Sequence, residues 1–346
     1  MRWSAVLEHL LAGRDLDEAQ AAQVLGAIMA GEAEPAQIAA LLVALRAKGE
    51  SAGEIAGFVR AMLDAATPIR ITGPLVDTCG TGGDGAGTFN VSTLAALVVA
   101  AGGARVAKHG NRAASGRCGS ADLLEAWGVA IDLPAREAAA TVDELGIGFL
   151  FARTFHPAMR HVGPVRAQLA VRTVFNVLGP LSNPAGAAHQ VVGVADARLA
   201  PVMADALAAL GKRHALVFRG DDGLDELTTT GPSQVWEVRD GQVTTWRLDP
   251  GDLGVPRATL ADLRGGGVEE NVAIGNRILG GETGAPADLV ALNAAAALYA
   301  ADVVDDLGEG LVRAREALTS GAARELRDRW VARSRALAAA AGEARR

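Results

Sequence analysis

Apolar residues recur at three- and four-residue spacing from Trp3 to Leu11 and again from Ala21 to Met29, which predicts two amphipathic helices. Pro35 suits a first helical turn and leads into an apolar run through Leu45. Ser51-x-x-Glu54 has the pattern of a capping box before a helix ending near Ala66. Residues 1 to about 67 therefore read as helices only, a small bundle or a dimer surface without obvious chemistry. From Pro74 onward the pattern changes to alternating strands and helices, which argues an α/β layer architecture.

A strand-like lead is expected from Val76, and strands at Arg105–Lys108, Gln190–Val194 and Ala215–Phe218, with helices at Leu94–Ala101 and Leu199–Leu210. Pro157 and Pro164 each begin a helix-like run, and Gly179-Pro180-Leu181-Ser182-Asn183-Pro184 is expected to break it. Asp240-Gly241 between two β-rich runs predicts a hairpin. The end of the chain, from Ala322 to Ala341, reads as one long surface helix. There is no internal repeat and no low-complexity linker.

The 346 residues suffice for about two domains or one large one. Half are hydrophobic but only 4% are aromatic, so the core is built mostly of Ala, Leu and Val. A net charge of -7 argues against a basic surface for nucleic acid. Cys79 and Cys118 form no C-x-x-C pair and suggest neither a disulfide framework nor a zinc site. No basic-then-apolar signal segment opens the sequence and no apolar run spans a membrane, so the expectation is a soluble, cytoplasmic protein.

The strand-like lead at Val76 runs into a loop with five glycines, Gly80 to Gly87, and then directly into a helix. Glycines let the backbone approach a ligand closely, and a helix start offers N–H groups and a positive dipole end to an anion. Asn90, Ser92 and Thr93 add side-chain groups where a cap would sit. No Gly-Lys-Ser/Thr closes the loop, and the match of Gly80, Gly82 and Gly85 to a dinucleotide fingerprint is spoiled by Gly83-Asp84. The loop reads as a phosphate cradle, with a plain strand-to-helix connection as its alternative.

Lys108-His109-Gly110-Asn111-Arg112 is dense in donors and follows a strand, the place where ligands of open α/β sheets sit; a solvated basic loop is the alternative. His109 and His156 are each a ligand, a base or a packed histidine. Asp225 and Glu226, on a glycine-opened loop after the strand ending at Phe218, suit a hard cation, or form a solvated acidic turn. A glycosidase pair is disfavoured, because sequence neighbours rarely flank a scissile bond. Micromolar binding takes about 8 kcal/mol and a helix dipole supplies roughly 1 kcal/mol. The glycine loop alone cannot hold a multiply charged phosphate; it needs a cation such as Lys108 and a metal at Asp225 and Glu226.

Taken together these segments resemble the anthranilate phosphoribosyltransferase family of tryptophan biosynthesis. The resemblance is carried by Gly80-Thr81-Gly82-Gly83-Asp84 with Asn90-Val91-Ser92-Thr93, by Lys108-His109-Gly110-Asn111-Arg112 with Gly119-Ser120-Ala121-Asp122, and by Phe149-Leu150-Phe151-Ala152 with His156-Pro157-Ala158-Met159. Arg172 to Leu181 with Asn183-Pro184, Gly223-Leu224-Asp225-Glu226 and Leu292-Asn293-Ala294-Ala295 extend it. The similarity runs from the first helices to about residue 320.

The resemblance implies a nucleoside phosphorylase-like fold of class α/β. A small helical domain (1–70, joined by helices near 157–187) would accompany a larger α/β domain (71–156 and 188–346) with a central, mostly parallel sheet. It implies a homodimer, without excluding association with anthranilate synthase, and no nucleic acid or membrane partner. It implies transfer of the phosphoribosyl group of phosphoribosyl pyrophosphate to the amine of anthranilate, with two magnesium ions. By the same resemblance, Gly80, Gly83, Asp84, Thr88, Asn90, Val91, Ser92 and Thr93 bind the phosphoribosyl donor. So do Lys108, His109, Gly110, Asn111, Arg112, Ala113, Ala114, Ser115, Gly116 and Ser120. Gly80, His109, Asn111, Arg166 and Pro180 face anthranilate; Ser92, Asp225 and Glu226 hold magnesium; Lys108, Asn111 and Arg166 carry the catalytic role. A guanidinium at Arg166 can pair bidentately with a benzoate carboxylate.

Four positions depart from the family pattern. Gly116 replaces a serine, Ala170 a glycine, Arg153 a proline, and Thr88 a serine while keeping the hydroxyl. Two rival readings differ in chemistry. A pyrimidine nucleoside phosphorylase of related fold would phosphorolyse thymidine or uridine, and a silent nucleic-acid-binding relative would show a basic face.

Overall fold

The computed structural model describes residues 2–113 and 117–344. Four helices open the chain: α1 (Trp3–Leu11), α2 (Glu18–Met29), α3 (Pro35–Lys48) and α4 (Ala52–Asp64). The α2 helix begins three residues before the expected start at Ala21. Asp17 Oδ1 accepts from Gln20 N at 2.8 Å and Gln20 Oε1 from Asp17 N at 3.1 Å, a reciprocal cap that absorbs polar residues into the first turn. Ser51 and Glu54 form the expected box on α4, and Glu54, fully buried, also takes Leu16 N and the Lys48 ammonium.

Alternation follows: β1 (Val76–Gly80), α5 (Val91–Ala101), β2 (Val106–Gly110), α6 (Ser120–Trp127), α7 (Ala135–Leu145), β3 (Ile147–Phe151) and α8 (Ala152–Phe155). After a five-residue 3₁₀ turn at Pro157–His161 come α9 (Gly163–Leu169) and α10 (Phe175–Leu181). The expected break falls within Gly179–Pro184: α10 carries Pro180 in its last turn and stops at Ser182. A proline there forfeits a single helical bond, and its free carbonyl is taken by Gln190 Nε2 at 2.6 Å.

The chain continues through β4 (His189–Gly193), α11 (Leu199–Ala209), β5 (His214–Gly220), β6 (Ser233–Arg239) and β7 (Gln242–Leu248). It ends in α12 (Val268–Leu279), α13 (Ala285–Ala300), α14 (Leu307–Thr319) and α15 (Ala322–Ala344). The β6–β7 hairpin turns on Asp240 and Gly241, both at positive φ. The α15 helix is less of a surface element than expected, since Trp330 and Leu326 are buried and Ser334 Oγ accepts from Ala130 N at 3.1 Å.

The strands form one sheet in the order β3-β2-β1-β4-β5-β6-β7, parallel through β5 and antiparallel beyond it. Consecutive residues of one strand enter opposite cores. Val191, Leu216 and Phe218 face the layer of α5 and α13, whereas Val192, Ala215 and Val217 face α11 and the N-terminal helices. Burial on both faces explains why these strands read as unbroken apolar runs. The α9 and α10 helices join the second core, Val165, Phe175 and Val177 packing with Leu41, Phe58 and Met62. Among the described residues no helix is long and apolar enough to cross a membrane.

Candidate functional site

The strand order reverses between β1 and β4, which makes their carboxyl ends the crevice where open α/β sheets take ligands. Gly80 and Gly193 stand side by side there in register. A Cβ on Gly80 would collide with Asp225 Oδ2, and one on Gly193 with the Asp225 backbone. The two glycines thus leave the space that seats the Asp225-Glu226 loop on the sheet. Gly193 carries no polar group and was invisible as a site residue; its only signal is a glycine ending an apolar strand.

The three chemistry-bearing segments meet over this seat. Gly82 N donates to Asp225 Oδ2 at 2.6 Å. Lys108, on β2, lies 2% exposed, with Nζ donating to Thr78 O of β1 and standing 3.4 Å from Ser92 Oγ. Lys108 and His109 therefore sit in a strand, not in a solvated loop. The strand extends to Gly110 because it pairs with β3 as far as Gly110 and Phe151, and His109 N donates to Asp77 Oδ1 at 3.1 Å. Asp77 is fully buried, and Asn183 Nδ2 binds both its other oxygen at 2.9 Å and Ala107 O at 2.7 Å. This Asp77–Asn183 brace ties the segment after α10 to β1 and β2.

Burial dominates the electrostatics. It lowers the Lys108 pKa, against the pull of Asp77. It raises Asp77, against Lys108. Asp225 is pushed up to about 7 by burial and then by the charge of Asp84. Glu226 is held well above the carboxylate range by burial and then by Asp225. Asp84 Oδ2 is buried without a partner. Acidic groups crowded this way, with one ammonium among them, fit a hard cation. Yet no group of three or more Asp, Glu, His or Cys side chains has metal-holding geometry among the described residues. Asp225 and Glu226 can supply part of a shell, which water and substrate oxygens would complete.

The helix start departs from expectation. Asn90 occupies the cap position of α5 but makes no side-chain cap. Its Nδ2 turns instead to Cys118 O at 3.2 Å, and its N–H is taken by Asn271 Oδ1 at 2.9 Å. Asn271, on α12 and buried, went unrecognised in the sequence because its partner is 181 residues away. Val91 and Thr93 are buried in the first turn, and Thr93 Oγ1 has no partner. Thr88 bridges to Arg264 at the rim.

Arg112 is committed to acids, pairing with Asp122 Oδ1 at 2.9 Å and Glu125 Oε2 at 2.7 Å, so its charge is spent within the protein. Asn111 and Ala113 are exposed beside it, and Ser120 Oγ donates to Asn111 O at 3.2 Å. Ala114, Ser115 and Gly116 lie outside the described residues. On the facing side, His109 Nδ1 is 3.2 Å from Gly179 O, next to Pro180, and Nε2 is buried without a partner. Burial, then His156, drives the His109 pKa down to about 3, so the ring is neutral. Arg166, on α9, is half-buried with Cζ 5.4 Å from the Phe175 ring centroid. It makes no ion pair among the described residues. Burial alone lowers its pKa, the mark of a guanidinium without an anion.

Comparison with known proteins places this architecture. Residues 4–66 match the family model described as "Glycosyl transferase family, helical bundle domain", and residues 72–324 that of the "Glycosyl transferase family, a/b domain". Anthranilate phosphoribosyltransferase of Roseiflexus castenholzii is 57% identical over 317 residues, covering 91% of this chain and 93% of its own. The crystal structure of anthranilate phosphoribosyltransferase from Thermus thermophilus superposes with a TM-score of 0.90 at 53% identity, over 95% of this chain and 99% of that one. The Saccharomyces cerevisiae enzyme, solved in complex with PRPP and Mg, gives 0.87 at 27% identity over 96% and 98%. In complex with 4-fluoroanthranilate it gives 0.86 at 27% over the same shares. The chain belongs to the glycosyl transferase family and, within it, to the anthranilate phosphoribosyltransferases.

Proposed function

We propose that the chain transfers the phosphoribosyl group of phosphoribosyl pyrophosphate to the amine of anthranilate, giving N-(5-phosphoribosyl)anthranilate and pyrophosphate. The observation that carries this reading is the meeting of Gly82, Lys108 and Asp225 at the β1–β4 switch point, in a chain whose Arg166 guanidinium has no ion pair among the described residues. The donor's pyrophosphate lies against the glycine loop and the start of α5, with Lys108 beneath it. Magnesium, two ions in this reading, is held by Ser92, Asp225 and Glu226 with substrate oxygens and water. It supplies charge neutralisation of the departing pyrophosphate. Arg166 pairs with the anthranilate carboxylate, and neutral His109 and Pro180 line the approach.

Displacement at the anomeric carbon requires little from a base, because the aromatic amine is neutral at pH 7. As the nitrogen bonds to the anomeric carbon and the bond to the pyrophosphate oxygen breaks, the amine sheds one proton to water or to a carboxylate, while His109, its pKa lowered to about 3, stays neutral. Lys108 and the loop N–H groups meet charge as it develops on the leaving oxygens. The remaining work is positioning: amine and carbon held about 3–3.5 Å apart. In this reading the helical unit (1–70 with the helices near 157–187) closes on the α/β unit (71–156 and 188–346) and delivers Arg166. The chain acts as a cytoplasmic homodimer. Loss of anthranilate fluorescence on adding phosphoribosyl pyrophosphate and magnesium tests the activity; undiminished fluorescence refutes it.

A further inference from the structure

Arg172 lies in the link between α9 and α10, beyond the left-handed turn at Ala170. Its side chain leaves that link and meets the glycine loop. Nη2 donates to Thr81 O at 3.3 Å, and the guanidinium occupies the space a Cβ on Gly83 would fill. Gly83 is at φ +82°, so any side chain there would be strained, and it would also have to displace the tip of Arg172. The residue is half-buried, and no carboxylate pairs with it among the described residues. Arg112 is the contrast, with two acids on its fork. Of five guanidinium donors one is used among the described residues, and the rest stand beside the glycine loop.

We infer that Arg172 is a positioning residue for the phosphoribosyl donor: it clamps Thr81–Gly83 from the helical side and adds a second positive charge to Lys108 on the other flank of the loop. This inference rests on the donor site proposed above. The clamp holds the turn at Gly82 and Gly83, both at positive φ, in the form that lets Gly82 N reach Asp225. Two cations then bracket the place of the pyrophosphate, one buried in the sheet and one carried by the segment that also bears Arg166. Glycine loops are soft, so without the clamp the donor would have to order this one itself.

The test compares the parent chain with Arg172→Gln and Arg172→Lys, by calorimetric titration with magnesium pyrophosphate and with anthranilate, and by KM for each substrate. Arg172→Gln is expected to weaken pyrophosphate about tenfold, the size of one charge-assisted contact, and to raise the donor KM with it. Anthranilate affinity and the unfolding temperature stay at parent values. Arg172→Lys, which keeps the charge without the planar fork, loses less. Pyrophosphate bound by Arg172→Gln as tightly as by the parent, or equal weakening of both ligands, overturns the inference. These titrations need no turnover. A parent that binds pyrophosphate but transfers nothing sinks the proposed reaction alone, and a parent that binds no pyrophosphate sinks both.

Discussion

Lys108→Met is the most informative single perturbation. Lys108 is 2% exposed and is the ammonium set against two buried carboxylates, Asp77 and Glu226. Methionine nearly matches its shape, so the substitution removes charge and hydrogen bonds and leaves no large cavity. Removing one partner of a buried pair costs about 3–5 kcal/mol. Lysine's own burial is unfavourable, as its lowered pKa records, which places the loss at the low end, about 3 kcal/mol. Asp77 then has only neutral donors, His109 N and Asn183 Nδ2. The penalty depends on pH with a definite sign. Asp77 and Glu226 already titrate high, and loss of the ammonium raises them further, so both take up protons as pH falls and no longer need a counter-charge. Urea unfolding followed by circular dichroism should show the deficit of Lys108→Met shrinking from pH 8 to pH 5. Asp77→Asn introduced on top should recover part of it. A loss below about 1 kcal/mol at pH 8, or additive costs for the two changes, refutes the argument that these charges form one unit.

Four further outcomes follow from the same geometry. Arg166→Ala should cost anthranilate use about 1.5–3 kcal/mol in kcat/KM while sparing donor binding, since it strips one charged pair from the acceptor side only; steady-state kinetics with each substrate varied decides it, and equal losses would contradict the assignment. Asp225→Asn with Glu226→Gln should raise the magnesium concentration needed for half-maximal rate. In metal-free protein Asp225→Asn alone should be more stable than the parent at pH 8, because the parent buries a carboxylate whose folded pKa, about 7, exceeds its unfolded value; that advantage should fade toward pH 5 as the parent takes up its proton, and a pH-independent difference would exclude the shift. Ala170→Gly should stabilise the chain by roughly 0.5 kcal/mol, relief of a left-handed alanine exceeding the entropy of glycine, and a loss of stability in thermal unfolding would contradict the strain.

The fold was legible where a local signal repeats itself. Capping pairs at Ser51 and Glu54, the proline before Ala36 and the Asp240-Gly241 turn act over four residues and need no distant partner. Of the β3 strand, Ile147–Phe151, the sequence marks only Phe149-Leu150-Phe151 and only within a motif, because a short apolar run has no period to separate strand from helix. The α13 helix is buried on nearly every side, so its apolar residues show no stripe. The site divides in the same way. Gly82, Lys108 and Asp225 each announce themselves through loop and strand-end chemistry. Asp77, Asn183, Gly193, Asn271 and Arg172 act only through partners brought together by folding: Arg172 touches Thr81 across 91 residues, Asn183 touches Asp77 across 106. Local spacing alone cannot reveal such pairs. Arg112, a basic residue in the same motif, already pairs with Asp122 and Glu125, partners that its place in the motif does not announce.

The account stands most directly on a diffraction measurement of the protein crystallised with magnesium pyrophosphate. It predicts phosphate density within hydrogen-bond reach of the Gly83 amide and Lys108 Nζ, with metal density against Asp225 and Glu226. Pyrophosphate ordered elsewhere, with the β1–β4 crevice holding only water, would contradict it.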